Sequence, residues 1–371
     1  MNNKIAMAAK ELQNVAKKIK QALTAPAVTQ GKPKKASYLS TSSILLNLAM
    51  SGKAHGGIPP GHYVLFVGDS HSGKTWLAMS CLAEAARNKR YKDYRLIYDG
   101  PEDGAMMDLK RFFGEALESR LEPPDMDEYG HPLYSSTTDE FYFNVHDAVG
   151  EGPCIYVLDS MDALSSDSEM DKFEERKKAR KDGKEIKGSY GDGKAKANAS
   201  GIRQLLRPLS KTGSILIIIT QTRDNIGALF AGKTRSGGHA LKFYATCEVW
   251  TAVKETLYKT VAGRRRDIGV QCLVKIKKNR LTGQKPVVNF PIYHSYGLDD
   301  VGSCIDYLVS EGRWKVSKGN LTADDIGYNG KLSGAARYIE DNCLEKDLAG
   351  VVELVWMEIE EQSRLNRKSR F

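Results

Sequence analysis

A short stretch of this sequence carries the residue pattern with which many proteins bind a nucleoside triphosphate. Residues 62–75 read HYVLFVGDSHSGKT, in which an apolar run leads into the pattern GxxxxGK[ST]. In such a loop the backbone N–H groups wrap the phosphates, the lysine reaches the terminal phosphates and the hydroxyl binds magnesium. The helical periodicity of the following WLAMSCLAEAARN supports this interpretation, because it places a helix N-terminus at the phosphates. We therefore predict an ATP and Mg²⁺ site formed by Gly68, Asp69, Ser70, His71, Ser72, Gly73, Lys74 and Thr75.

Polar side chains follow three further apolar runs, and each could face the same phosphates. CIYVLDS brings Asp159 to the end of a strand, where its carboxylate could orient the magnesium ion. RLIY is followed by Asp99, Glu102 and Asp103, any of which could act as general base on the attacking water. Gln221 emerges from SILIIITQT, where it could touch the terminal phosphate and pass that contact to the following loop. Spacing alone leaves the choice among the three acids open.

These side chains can only converge if their strands end at one edge of a sheet, and the hydrophobic pattern predicts such a sheet. Between about 36 and 295, short apolar runs such as YVLFV, RLIY, CIYVL and SILIII alternate with helix-sized segments. That alternation is typical of a parallel sheet covered by helices on both faces. The later runs CEVWTAV and QCLVKIK lie closer together and favour hairpins that extend the sheet. We predict an α/β fold with a twisted, mostly parallel sheet between helices.

The regions outside this core, and one segment within it, differ in composition. Residues 1–35 place apolar residues at helical spacing among lysines and then a proline-containing linker, which predicts a helical arm for subunit contact. Residues 296–371 carry further helical patterns and predict a small C-terminal helical domain, which leaves residues 36–295 as the core. Within the core, the segment from Arg176 to Lys187 holds seven basic and two acidic residues. We interpret this segment as a solvated insertion.

The overall composition narrows the class of protein. The chain has 371 residues, 41% of them hydrophobic and 27% charged, so it can bury a large core. No apolar run approaches the roughly 20 residues needed to cross a bilayer, and we expect a cytoplasmic protein without membrane contact. The six cysteines are far apart and form no CxxC pair, which argues against a zinc site or a disulfide framework. The net charge of +9 favours polyanionic partners such as nucleic acids.

Read in order, the motifs resemble those of the RecA recombinase family, including its bacteriophage UvsX-type members. The most specific stretch is SGGHALKFYA at 236–245, which is similar to the family's GGNALKFYA segment, with His239 in place of the asparagine. VKIKKNR at 274–280 is similar to the family's VKVVKNK, and STSSILLNLAMSG resembles its STGSLSLDIAL. The similarity extends over nearly the whole chain from about Tyr38 onward.

The resemblance implies a RecA-type core that polymerises head to tail along single-stranded DNA, with ATP between adjacent subunits. It favours Glu102 as the general base, although an extra residue just before it keeps Asp103 as an alternative. Gln221 matches the family's glutamine that couples the terminal phosphate to the DNA loop. Lys278 and Arg280 match two lysines that reach into the next subunit's ATP, where they would neutralise charge developing on the γ-phosphate.

The resemblance also implies two DNA-binding loops, at about 189–201 and 223–238. Binding of single strands without sequence preference requires cations along the backbone and groups that fit between bases or stack on them. The chain ends in the basic RLNRKSRF, where many bacterial members carry an acidic tail, so we expect binding to double-stranded as well as single-stranded DNA. The candidate DNA contacts are Lys194, Lys196, Arg203, Arg207, Arg223, Ile226, Gly227, Lys233 and Arg235.

These interpretations combine into one functional hypothesis with two alternatives. The hypothesis is an ATP-dependent homologous-recombination protein whose filament on single-stranded DNA pairs with a homologous duplex, exchanges strands and hydrolyses ATP. The first alternative is a RecA-fold helicase or repair ATPase, which would unwind or remodel DNA without strand exchange. The second is a protein that coats DNA and has a weak ATPase. The GGHALKFYA segment and the basic pair near 280 favour the recombination protein over the helicase.

Overall fold

The computed structural model describes residues 38–102, 107–181, 193–224, 233–235 and 238–367, so the predicted arm at 1–35 lies outside it. The helices are α1 (Ile44–Ser51), α2 (Lys74–Arg87), α3 (Leu109–Phe113), α4 (Glu115–Arg120), α5 (Thr138–Glu151), α6 (Asp167–Lys181), α7 (Gly193–Thr212), α8 (Gly238–Tyr244), α9 (Asp300–Ser310), α10 (Ala335–Asp341) and α11 (Glu345–Gln362). The strands are β1 (Tyr63–Gly68), β2 (Arg95–Asp99), β3 (Asp125–Met126), β4 (Pro132–Leu133), β5 (Cys154–Leu158), β6 (Ile215–Asp224), β7 (Lys233–Arg235), β8 (Cys247–Val261), β9 (Arg264–Asn279), β10 (Val287–Tyr293), β11 (Gly297–Leu298), β12 (Lys315–Ser317), β13 (Asn320–Ala323) and β14 (Tyr328–Lys331). Within these described residues, no helix combines the length and the apolar character needed to span a membrane.

One large sheet organises the chain. Its strands lie in the order β11-β10-β9-β8-β1-β6-β5-β2, and β7 pairs with β6. The five strands from β8 to β2 are mutually parallel, whereas β9, β10 and β11 add antiparallel pairs at one side. The predicted α/β fold with a parallel sheet between helices is confirmed, and so is the prediction that the later strands extend the sheet as hairpins.

The central strand β1 shows why this sheet is covered on both faces. All six of its residues are buried, and alternate side chains point to opposite faces, as strand geometry requires. Phe66 belongs to the apolar cluster that includes Leu77 of α2, whereas Leu65 belongs to the cluster that includes Phe141 of α5 and Ile202 of α7. Because helices hold both faces, the carboxyl ends of β1, β2, β5 and β6 are fixed at one common edge.

The C-terminal segment contains both helices and strands. The patterns predicted to be helical correspond to α9, α10 and α11, and a separate three-stranded antiparallel sheet, β12-β13-β14, lies among them. Trp314, Leu321 and Val352 from this segment belong to the same apolar cluster as Leu46 of α1. The segment therefore shares a continuous core with the large sheet, and a domain boundary at 296 stays a prediction.

Candidate nucleotide site

The phosphate loop leaves β1 at Gly68 and enters α2 at Lys74 through a turn that two glycines make possible. A Cβ atom added to Gly68 would lie 2.3 Å from Thr251 Oγ1 and 2.5 Å from Ser72 Oγ, so a side chain has no room there. Gly73 has a φ of 88°, in the left-handed region that favours glycine. Helix α2 begins at the next residue, and the N–H groups of its first turn are available to an anion. The turn is therefore suited to bind phosphate.

Lys74 curves back over this loop. Its Nζ donates to the carbonyl oxygen of Asp69 at 2.6 Å, and only 8% of the residue is exposed. Burial lowers the pKa of the ammonium group, whereas the nearby carboxylates of Asp159 and Glu102 act in the opposite direction. A partly desolvated cation interacts more strongly with neighbouring charge than one in water. Lys74 is therefore suited to bind the terminal phosphates of a nucleotide.

The two predicted magnesium ligands lie in direct contact with each other. Thr75 Oγ1 donates to Asp159 Oδ2 at 2.6 Å, and the Tyr98 hydroxyl donates to the same oxygen at 3.1 Å. Burial raises the pKa of Asp159, while these two hydrogen bonds lower it. A hydroxyl and a carboxylate are the hard oxygen donors that magnesium prefers. The residues present therefore fit a magnesium ion that is bound together with the phosphates of a nucleotide.

Glu102 and Gln221, predicted as catalytic residues, meet at the same edge of the sheet. Gln221 Nε2 donates to Glu102 Oε1 at 3.1 Å, and the Ser160 hydroxyl donates to the same oxygen. The backbone N–H of Gln221 donates to Asp162 Oδ2 at 2.7 Å, which fixes the end of β6. The alternative base, Asp103, lies outside the described residues. The structure thus brings one acid and one amide together beside the phosphate loop.

Asp99, the third acid at this strand end, has a different environment. Its Oδ1 accepts the backbone N–H of Ser135 at 3.0 Å, and its Oδ2 accepts the hydroxyl groups of Ser135 at 2.5 Å and of Tyr156 at 2.7 Å. Burial raises the pKa of this carboxyl group, and the three hydrogen bonds lower it. Because both oxygens are used to connect β2 with its neighbours, Asp99 has a structural role and is not placed as a general base.

A cavity of about 320 Å³ opens beside the phosphate loop, and the sequence did not predict its second wall. Lys74 and Thr75 line one side, and the other side is formed by Trp76, Met107, Val270, Ile292 and His294. Trp76 is held in place by an edge-to-face contact with Phe112, with ring centroids 5.1 Å apart. A cavity with a cationic end and an aromatic, apolar wall is suited to a nucleotide. No local pattern could have identified this wall, since β9 and β10 lie far along the chain.

Lys278 and Arg280 lie at the opposite edge of the sheet, where the parallel strands β8 and β1 begin. The register places Lys278 opposite Glu248, whereas Gly68, just before the phosphate loop, pairs with Thr251. Because β8 is parallel to β1 and rises about 3.3 Å per residue, these two levels are about 10 Å apart along the strands. Arg280 follows the end of β9 and lies farther still from the phosphate loop. Neither cation faces the phosphate loop of its own chain.

These two cations share one main-chain acceptor. Lys278 Nζ and Arg280 Nη2 donate to the carbonyl oxygen of Phe243 at 2.6 Å and 2.5 Å. Burial and the adjacent Arg280 lower the pKa of Lys278 to about 8, and Glu248 acts in the opposite direction. The Phe243 residue is 64% exposed. Two cations beside an exposed aromatic ring are typical of a surface that contacts another molecule.

Most of the candidate DNA contacts on α7 share one face of that helix. Lys196, Arg203 and Arg207 are exposed, and their spacing of seven and four residues places them on the same side. Lys194 has a different environment, because its Nζ donates to the carbonyl oxygen of Leu164 at 2.6 Å and so anchors the loop after β5. The helix therefore presents a basic face, to which Lys194 contributes less than its charge suggested.

The strand pair β6–β7 forms the base of the second predicted DNA loop. The candidate residues Arg223, Lys233 and Arg235 lie on this antiparallel pair, while Ile226 and Gly227 fall outside the described residues. The Thr222 hydroxyl donates to Asp69 Oδ1 in the phosphate loop. Because Gln221 of the same strand contacts Glu102, two hydrogen bonds connect this loop base with the phosphate site.

Comparison with known proteins finds similarity to RecA proteins. The family model of the RecA N-terminal domain matches residues 154–299, from β5 to the end of β11, so it includes Gln221, Lys278 and Arg280. Protein RecA of Cytophaga hutchinsonii is 27% identical over 297 residues, which cover 74% of this chain and 69% of the relative. Protein RecA of Brucella canis is 28% identical over 313 residues, which cover 82% of this chain and 76% of the relative. The similarity to these relatives therefore extends well beyond the region that the family model matches.

Proposed function

We propose that this chain, which is similar to protein RecA over most of its length, is an ATP-dependent homologous-recombination protein that assembles on single-stranded DNA. Copies of the chain form a helical filament, pair the bound strand with a homologous duplex and exchange strands. DNA stimulates the hydrolysis of ATP, and hydrolysis then releases the DNA from the filament. The protein acts on single-stranded and double-stranded DNA in the cytoplasm.

The position of the two charged edges supports this proposal most strongly. The phosphate loop and Asp159 lie at one edge of the parallel sheet, and Lys278 and Arg280 lie at the other. A head-to-tail stack of identical copies brings the second edge of one subunit towards the first edge of the next. ATP bound at the phosphate loop would then be completed by two cations from the neighbour. Nucleotide binding and filament assembly would be one coupled event.

Within this site each side chain has a distinct chemical task. Lys74 and the N–H groups of the first turn of α2 bind the phosphates. Thr75 and Asp159 would hold the magnesium ion, which would shield the negative charge of the phosphates. Glu102 accepts a proton from the water that attacks the γ-phosphorus, and the bond from phosphorus to the ADP oxygen breaks. Lys278 and Arg280 of the next subunit neutralise the charge that develops in the transition state.

DNA binding is connected to this chemistry through the end of β6. Gln221 donates to Glu102 and lies on the strand that leads into the second predicted DNA loop. DNA bound there would change the position of the Gln221 amide beside the carboxylate of Glu102. The exposed basic face of α7 supplies the remaining phosphate contacts, through Lys196, Arg203 and Arg207. DNA would thus stimulate hydrolysis by placing Gln221.

The test measures ATP turnover with and without single-stranded DNA and then the formation of joint molecules between that strand and a homologous duplex. We expect turnover to rise when DNA is added, and we expect joint molecules only in the presence of ATP. Lys74→Ala is the matched negative control. Turnover that is indifferent to DNA would overturn the proposal.

The same experiment separates the two alternative functions. Strand unwinding with DNA-stimulated turnover but without joint molecules would identify a helicase or repair ATPase. Tight DNA binding with turnover close to that of Lys74→Ala would identify a DNA-coating protein.

A further inference from the structure

We propose that α6 is an additional nucleic-acid contact, whose basic C-terminal half binds the phosphate backbone of DNA outside the two predicted loops. This inference rests on the proposed function, since it assumes that the protein binds DNA. It concerns a helix to which the nucleotide chemistry assigns no role.

The first observation is that α6 has no buried face. None of its residues from Asp167 to Lys181, all of which the structure describes, is buried. Its two large apolar residues, Met170 and Phe173, are 44% and 60% exposed. Helices in folded proteins are usually held by an apolar face against a core, and a short helix without one is marginal in water. Something other than a buried apolar face must account for this helix.

Charged side chains explain part of the helical structure of α6. Asp167 and Glu169 lie in the first turn, where acidic groups interact favourably with the helix dipole, and Glu174 forms an ion pair of 3.4 Å with Lys177. Three cations lie in the last turn, where the dipole favours positive charge. These effects explain why the segment is helical when it is exposed. They do not explain why five cations are concentrated in residues 176–181.

The second observation is the strong segregation of charge along α6. Residues 167–175 hold five acids and one lysine, whereas residues 176–181 hold five cations and one alanine. Those six residues occupy about 9 Å of helix at a rise of 1.5 Å each. Cations packed this closely repel each other, and a polyanion relieves the repulsion. Duplex DNA carries about one charge per 1.7 Å of its axis, so the two charge densities are similar.

The third observation is where α6 begins. An added Cβ on Gly193, the first residue of α7, would lie 2.1 Å from Ser168 Oγ and 2.7 Å from Ser166 Oγ, so the starts of the two helices are tightly packed. Helix α7 carries the exposed cations assigned to DNA, and the chain between the two helices includes the start of the first predicted DNA loop. The basic half of α6 ends at Lys181, and seven residues, 182–188, separate it in the chain from the start of that predicted loop.

Among possible partners, these features favour DNA over a protein. A protein partner would be expected to cover the apolar pair Met170 and Phe173, but these residues lie in the acidic half of the helix. The basic half contains only cations and one alanine, which offers electrostatic contact without a surface for apolar packing. Contacts of this kind are typical of binding to a phosphate backbone without sequence preference.

The test neutralises the basic half and measures the salt dependence of DNA binding. The variant replaces each cation by glutamine, which keeps helix propensity: Arg176→Gln, Lys177→Gln, Lys178→Gln, Arg180→Gln and Lys181→Gln. Dissociation constants for a labelled single strand and a labelled duplex are measured by fluorescence anisotropy across a salt series, with a non-hydrolysable ATP analogue. We expect binding at least about tenfold weaker near physiological salt, and a slope of log Kd against log salt that is shallower by about two to four.

Two control variants separate charge from helix structure. Replacing Lys177, Lys178 and Lys181 by arginine keeps every positive charge, so the affinity and the slope should remain those of the wild type. Replacing Asp171, Glu174 and Glu175 by their amides changes the same helix without removing a cation, so binding should stay the same or tighten. Circular dichroism checks that the helical content of each variant is retained.

The outcomes also distinguish this inference from the proposed function. Weakening on the duplex alone would assign α6 to the incoming duplex, and weakening on the single strand alone would assign it to the filament strand. An unchanged slope for both DNAs, while Arg203→Gln with Arg207→Gln weakens binding, would overturn the inference and leave the proposed function standing. If the wild type binds neither DNA, the proposed function itself fails.

Discussion

The two edges of the central sheet hold their charged side chains in different ways. At the carboxyl edge, Lys74 and Asp159 are almost fully buried. The hydroxyl group of Thr75 donates to Asp159, and the side-chain amide of Gln221 donates to Glu102. At the opposite edge, Lys278 and Arg280 donate to a main-chain carbonyl oxygen of α8 and lie beside an exposed phenylalanine. The side chains at the first edge bond to one another, whereas the two cations at the second edge lie at the surface.

This difference indicates how a composite site can be divided between two copies. Buried and mutually bonded groups keep their geometry without a partner, so under the proposed function the phosphate site binds a nucleotide within a single subunit. Surface cations that already have a carbonyl acceptor add little until a stronger anion approaches them. Each edge can therefore be tested separately, and the comparison predicts that loss of the first edge is the more damaging.

The largest effect is expected for Lys74→Ala. We expect ATP turnover to fall by about 1,000-fold and nucleotide binding to weaken, because the variant lacks the cation that contacts the phosphates. Since burial disfavours the charged form of Lys74, the unfolding midpoint in urea should be unchanged or higher. Turnover is measured by phosphate release.

Lys92→Ala, at an exposed position outside the site, is the control for a simple loss of positive charge. If Lys74→Ala hydrolyses ATP at the wild-type rate, the carboxyl edge is not the nucleotide site and the comparison between the edges fails.

A mixing experiment tests whether the second edge acts on a neighbouring copy. Lys278→Ala should lower turnover by about 100-fold while nucleotide binding is retained, because its own phosphate loop is intact. When Lys278→Ala and Lys74→Ala are mixed in equal amounts, about a quarter of the interfaces combine an intact loop with an intact cation, so turnover should recover to about a quarter of the wild type.

Lys277→Ala provides the adjacent control, since the Lys277 ammonium lies 3.0 Å from the centre of the Trp250 ring and not beside Phe243. A mixture that stays at the low activity of its two components would show that Lys278 acts within its own chain or not at all.

The sequence could predict the first edge better than the second for a physical reason. The phosphate loop is contiguous, and parallel strands bring their ends to one edge, so the contact between Thr75 and Asp159 follows from local pattern and topology. The orientation of a long cation does not follow from either. Lys194 was predicted as a DNA contact from its charge and position, yet in the structure its ammonium binds the carbonyl oxygen of Leu164.

Tertiary contacts account for what sequence reasoning could not resolve at the carboxyl edge itself. Asp99, Glu102 and Asp103 were equivalent candidates by spacing. The hydrogen bonds from Ser135 and Tyr156 assign Asp99 a structural role. The aromatic wall of the cavity was missed because Trp76 acquires its place through packing against Phe112. A helical pattern specifies that such a residue is on a helix but not what it faces.

A smaller effect is expected where the phosphate loop touches the strand pair of the second DNA loop. Thr222→Val removes the hydroxyl group that donates to Asp69. Because a single hydrogen bond to a carboxylate contributes about 1.5–3 kcal/mol, we expect the stimulation of turnover by DNA to fall by about tenfold. Turnover without DNA should change much less.

Thr222→Ser keeps the hydroxyl group and should restore the stimulation, which separates the hydrogen bond from packing. Equal stimulation in the valine variant and the wild type would mean that this hydrogen bond does not couple the phosphate loop to the strand pair β6–β7.

The smallest effect concerns the pH dependence of assembly. In the free subunit the pKa of Lys278 is lowered to about 8, so the ammonium group loses its proton as pH rises through 8. A neighbour's phosphates would raise that pKa again, and assembly above pH 8 would therefore take up a proton. We expect the protein concentration at half-assembly, measured by light scattering with a non-hydrolysable ATP analogue, to rise about fivefold between pH 8 and pH 9. Lys278→Arg stays charged throughout this range and should show a flatter profile, whereas identical profiles would remove Lys278 from the interface.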